Sequence, residues 1–166
     1  MKYLIALLAV AGIIVSSIAL HVHLMDPNAA PPCAVSEHWD CGAVGHSKYS
    51  VFPPISSQEF DENGNLQPGK LHIPVASLGI AAYSVLLVLA LMGRLWLVFE
   101  LAQVGFFFAA FLSYIEAYIL EKWCIYCVWS QAIIAAIFVA SALALLLQWR
   151  QRRTAETAAA ASAPVE

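Results

Sequence analysis

Long apolar runs almost free of charge constrain this chain more than any motif does. Residues 3–24 contain no charged side chain, and residues 75–93 end only at Arg94. Residues 95–120 and 124–149 follow, the last run closing in Arg150, Arg152 and Arg153. A helix needs roughly 20 residues to cross the hydrocarbon core of a bilayer. Backbone groups in lipid must satisfy one another, and runs of this length do so as helices, not as barrel strands. Only 11% of the 166 residues are charged and 61% are hydrophobic, against about 25% and 45–50% in soluble domains. So few charges cannot form a polar shell. This excludes an ordinary soluble enzyme, a disordered chain and a nucleic-acid binder that works through a basic patch.

The expected fold is therefore an all-α integral membrane protein, a four-transmembrane-helix bundle forming one domain over residues 1–153. Its spans fall at about 3–24, 75–93, 95–120 and 124–149. The first run could be read as a secretory signal peptide after Lys2. It is longer than the ~7–15 residues of a signal's apolar region, and Asn28-Ala29-Ala30 makes a poor cleavage site, so a retained helix is expected.

Basic residues tend to lie on the cytoplasmic side. With the N-terminus inside, the inner segments hold Lys2, Arg94, Arg150, Arg152 and Arg153, and the outer ones hold Lys48, Lys70 and Lys122. The expected location is a bacterial inner membrane, with both termini cytoplasmic and the loop 25–74 periplasmic. Residues 154–166, Ala-rich and without large apolar side chains, are expected to be a disordered cytoplasmic tail.

The outer loop is long for a connector, and long loops are usually functional or disordered. It carries Cys33 and Cys41, and Trp39, Val44, Tyr49, Val51, Phe52, Ile55 and Phe60 give it an apolar surface. A lid capping the bundle is expected, with 60–69 a mobile excursion. The other two cysteines form Cys124-Ile125-Tyr126-Cys127. Residues three apart share a helix face, within reach of a disulfide after local adjustment. The motif opens the fourth span, where the helix dipole stabilises a thiolate. Both pairs thus fall at one membrane face, in a compartment where disulfides persist. Two unrelated pairs, one a structural staple and one buried and inert, remain an alternative, as does zinc. Thiol–disulfide exchange suits the arrangement best, because a loop pair and a helix pair can relay electrons in two-electron steps. There is no CxxCH for haem and no Gly pattern for a flavin or nicotinamide. A lipid-soluble quinone, ubiquinone or menaquinone, is the natural acceptor.

With these residues in order, the chain resembles the vitamin K epoxide reductase family in its bacterial single-domain form. The resemblance spans about residues 3–149. It rests on loop cysteines with seven residues between them, on Cys41-x-x-Val44-x-x-Ser47, on Ile73-Pro74-Val75-Ala76-x-x-Gly79, and on the final Cys-Ile-Tyr-Cys. It implies a four-helix bundle around a quinone. Cys33 would meet the thiol of a periplasmic thioredoxin-like (DsbA-type) partner, and Cys41 would carry electrons inward. Cys124 would accept attack from Cys41, Cys127 would face the quinone, and Ser47 would help arrange the site. Animal members that reduce the epoxide have an Asn where this chain has Val75 and a Tyr where it has Gln131. Epoxide reduction is therefore not implied, while Gln131 could still bond a quinone carbonyl.

Glu100 and Glu116 lie about five residues from the ends of the third run and are expected at the membrane interfaces. Glu100, Gln103, Phe107, Phe111, Tyr114 and Tyr118 share a helical face; an aromatic stripe is more often packing than a cofactor wall, yet its end near Cys124 makes Phe111, Tyr114 and Tyr118 the candidates to border the quinone. His21, His23, His38, His46 and His72 all fall at the outer face without a metal-ligand spacing, and no metal site is expected. His46, beside Ser47, is the weak choice for steadying a thiolate or supplying a proton. A DsbB-type quinone reductase has its CxxC before the loop pair, the reverse of the order here. A non-enzymatic membrane binding module with one structural disulfide is the competing class.

Overall fold

The computed structural model describes residues 1–25, 33, 36, 38–54 and 72–161, with side chains at the C-terminal end described to Thr157. Ile55, Phe60 and the excursion expected at 60–69 lie outside these residues. Four long helices make up most of the fold. They are α1 (Lys2–Leu24), α3 (Val75–Leu91), α4 (Leu95–Ile115) and α5 (Ile125–Ala161). A short helix, α2 (Cys41–Gly45), and a two-stranded antiparallel sheet, β1 (Val51–Phe52) with β2 (Ile73–Pro74), lie between α1 and α3.

Three helical segments are long and apolar enough to cross a membrane: Lys2–Leu24, Leu95–Leu120 and Ile125–Thr157. The second expected span is shorter, a 17-residue apolar helix, at the lower limit of the ~17–25 residues that suffice. It stops at Leu91 because Gly93 takes a left-handed φ of 72°, which glycine adopts without steric cost. Only Met92, Gly93 and Arg94 separate α3 from α4, so the two helices reverse tightly.

The tail expected to be disordered from Thr154 is instead helical through Ala161, and 162–166 lie outside the described residues. Alanine is the best helix former, and α5 enters this segment already nucleated. Thr154 and Thr157 hydroxyls also bond back to the carbonyls of Arg150 and Arg153.

Small residues set the packing. Ala6, Ala9, Gly12 and Ser16 form a buried stripe along α1, and α1 packs most extensively on α3 and then on α5. Side chains this small let backbones approach closely, the usual basis of helix association in lipid. A Cβ on Gly12 would stand 2.5 Å from the Tyr83 ring. The core is Ile5, Leu86, Val98, Ala102 and Ile137, while Leu7, Ile14, Val88 and Leu146 point outward. Contact between α3 and α4 is sparser than between α4 and α5.

Candidate functional site

The cysteine-bearing end of the bundle is assembled by backbone pairing. Asp40 N–H donates to Trp123 O at 3.1 Å and Trp123 N–H donates to His38 O at 2.8 Å. This parallel bridge between Trp39 and Trp123 registers the loop against the residue before Cys124. Asp40 also caps α2, its carboxylate accepting the Ala43 N–H at 3.0 Å. The first residue of α2 is Cys41. One aspartate therefore fixes the helix start that carries a loop cysteine, while its backbone ties that start to the other cysteine pair.

Cys33 and Cys41 are joined by a disulfide with Cα atoms 5.8 Å apart, and Cys124 and Cys127 are free thiols. Cys33, Cys41 and Cys124 are buried in one cluster with Val22 and Val44, and Cys127, Leu120 and Tyr126 pack against it. The structure thus brings all four cysteines together. Beneath them lies a cavity of about 390 Å³ whose wall includes Cys41, Cys124 and Cys127. Most of its lining is apolar, with Val75, Gly79 and Leu86 from α3 and Val104, Phe108 and Leu112 from α4.

Cys124 immediately precedes α5, outside the spanning helix, and its carbonyl accepts the Val128 N–H at 3.1 Å. Its thiol is held below the ordinary range chiefly by a hydrogen bond with the Cys127 side chain. Burial opposes this, and the backbone N–H groups of Cys127 and Tyr126 reinforce it. A sulfur at the start of a helix becomes a better nucleophile and leaving group in this way.

Ser47 lines the cavity, and its hydroxyl oxygen is buried without a hydrogen-bond partner. Gln131 is not in the wall; its side-chain oxygen accepts a hydrogen bond from Ser113, which is. Phe111, Tyr114 and Tyr118 are not brought to the cavity. They are 59%, 56% and 73% exposed on the outer side of α4 and its extension, and Phe108, Leu112 and Ser113 take the inner positions. His46 also stays outside the wall. Its ring nitrogens reach Gly42 O at 2.9 Å and Met25 O at 3.1 Å, tying the loop to the end of α1. His23 is the histidine in the wall, bonded through Nδ1 to Gly45 O. Among the described residues no group of three or more His, Cys, Asp or Glu is placed to hold a metal.

Glu116 is buried inside the bundle's end and not on its surface. It is 3% exposed and lines the cavity, and its Oε2 accepts the Cys124 N–H at 3.1 Å. The chain folds back here because Glu116–Leu120 is a π-helical turn closed by Glu121 in the left-handed region at φ 52°. Glu100, by contrast, is exposed on α4.

Residues 3–142 match the model of the Vitamin K epoxide reductase family. Comparison with individually characterised proteins finds no match.

Proposed function

The chain belongs to the vitamin K epoxide reductase family, membrane thiol oxidoreductases, and from that premise we propose that it oxidises a periplasmic thioredoxin-fold protein at the expense of a quinone. The observation that carries this reading is the convergence of Cys41, Cys124 and Cys127 on one apolar cavity at the end of the helices. The cavity lies within the ~300–1,000 Å³ of small-molecule sites, and the unpartnered Ser47 hydroxyl suits a carbonyl oxygen on an otherwise apolar ring. Quinone, when bound, supplies the terminal two-electron acceptor.

A reduced partner's thiolate attacks Cys33, the Cys33–Cys41 bond breaks, and Cys41 is released. Cys41 attacks Cys124 in the oxidised inner pair, displacing Cys127. The partner's second thiolate closes the partner's own disulfide and expels Cys33, and the freed Cys33 thiolate attacks Cys41 and displaces Cys124, so the electron pair ends on Cys124 and Cys127 beside the cavity. Each step exchanges one S–S bond for another. The bacterial inner membrane, with the cysteines periplasmic and both termini cytoplasmic, is part of the same proposal, as is a fourth span at α3.

The test is quinone reduction by the purified protein with a reduced thioredoxin-like partner. Cys124→Ala and Cys127→Ala both abolish it, and full activity in either variant overturns the relay. Cys33→Ala loses the protein partner but retains turnover with a small dithiol.

A further inference from the structure

One buried ionisable group, Glu116, has no part in that relay. It is the only carboxylate among the described residues lining the cavity. Its side chain touches both halves of the inner motif, accepting the Cys124 N–H at Oε2 and hydrogen-bonding the Cys127 thiol. A buried carboxyl group costs free energy unless its bonds are met, and here those bonds go to the two residues whose sulfurs react. The loop pair is joined and the inner pair is not, so the Cys127 sulfur stands separately beside the carboxyl group.

We propose that Glu116 is the proton carrier of the inward exchange, a catalytic residue that delivers a proton to Cys127 as the Cys124–Cys127 bond breaks. The inference rests on the relay reading. Cys41, released as a thiolate when the loop disulfide opens, attacks Cys124 while Glu116 holds the proton on its carboxyl group. The Cys41–Cys124 bond forms, the Cys124–Cys127 bond breaks, and the electron pair goes to the Cys127 sulfur. Glu116 places its proton there. Atoms and electrons balance within the chain, and no other reactant is required. In an apolar cavity a displaced thiolate has little water to stabilise it, so a proton delivered at the same moment matters more than it would at the surface.

The experiment is a single turnover without quinone. Full-length protein with both pairs oxidised is mixed with dithiothreitol, quenched in acid, and the thiols are alkylated and counted by mass for each pair. Glu116→Gln keeps an oxygen for the Cys124 N–H but has no proton to transfer. It is expected to slow reduction of the inner pair roughly 100-fold, the lower end of general acid–base contributions, while the loop pair is reduced at the wild-type rate. Glu116→Asp, which keeps a transferable proton, stays within about tenfold of wild type. Inner-pair reduction at the wild-type rate in Glu116→Gln overturns the proposal, as does an Asp variant as slow as the Gln one. The relay itself is read separately from Cys41→Ala. Its inner pair stays oxidised if the relay stands; if that pair is reduced at the wild-type rate, the relay reading falls, not the role of Glu116 alone.

Discussion

Cys124 occupies the residue before α5, where its sulfur meets the Cys127 side chain and the backbone N–H groups of Cys127 and Tyr126. These donors favour the thiolate, so in the reduced protein Cys124 is alkylated by iodoacetamide with a midpoint below the usual ~8.5 of a free thiol. A midpoint at or above that value refutes the low-lying thiol. The sign follows from hydrogen bonding outweighing burial, the second cause. Both the cysteine pairs and the helix start were legible in the sequence, because spacing and the onset of an apolar run are local properties. Glu116 was not. Counting residues from the end of a run gives its depth but not its neighbours: the π-helical turn and the left-handed Glu121 bend the chain until residues 116 and 124 meet. That return depends on backbone geometry which no periodicity encodes.

Between elements, α1, α3 and α5 are held by close approach and by the Tyr83 hydroxyl, which meets both the carbonyl and the hydroxyl of Ser130. Tyr83 on α3 donates its hydroxyl to Ser130 O on α5 at 2.7 Å. Tyr83→Phe removes that bond and is expected to lower stability by about 0.6–2 kcal/mol, the range for interhelical hydrogen bonds in membranes. Unchanged resistance to thermal unfolding in detergent argues against a stabilising bond. Gly12→Leu is more severe. Even a Cβ at this position would lie 2.5 Å from the Tyr83 ring, and overpacking costs about 1–3 kcal/mol or more. The same helices explain why the aromatic stripe on α4 lies away from the cavity. Periodicity correctly put Phe107, Phe111, Tyr114 and Tyr118 on one side, but it carries no direction. In water the apolar side must face inward; in lipid the outward side is equally apolar, so those residues point away from the cavity. Ser113, polar and one residue from Tyr114, marks the inner side more reliably through its bond to Gln131.

Across the whole molecule, the arginines and the cysteines sit at opposite ends. Arg94 lies in the α3–α4 turn, and Arg150, Arg152 and Arg153 lie on the far part of α5, whereas Cys33, Cys41 and Cys124 cluster at the other end. The 37 residues of α5 make a helix about 55 Å long at ~1.5 Å per residue, well beyond a hydrocarbon core of ~30 Å. Since it starts beside the cysteines, its excess length must project from the arginine end. Arg153 packs over the Trp149 ring, 4.0 Å from its centroid, an arrangement suited to the interface where aromatic and basic side chains gather. Basic residues are retained on the cytoplasmic side, so the cysteine end is expected to face the periplasm. The expectation is checked in intact spheroplasts, after mild reduction, with a membrane-impermeant maleimide. The loop cysteines are labelled without permeabilisation, whereas a cysteine introduced by Thr154→Cys in a variant lacking the native four is labelled only after it. The reverse pattern inverts the protein, leaving the loop pair in a reducing compartment where a relay that depends on an oxidised Cys33–Cys41 bond cannot be maintained.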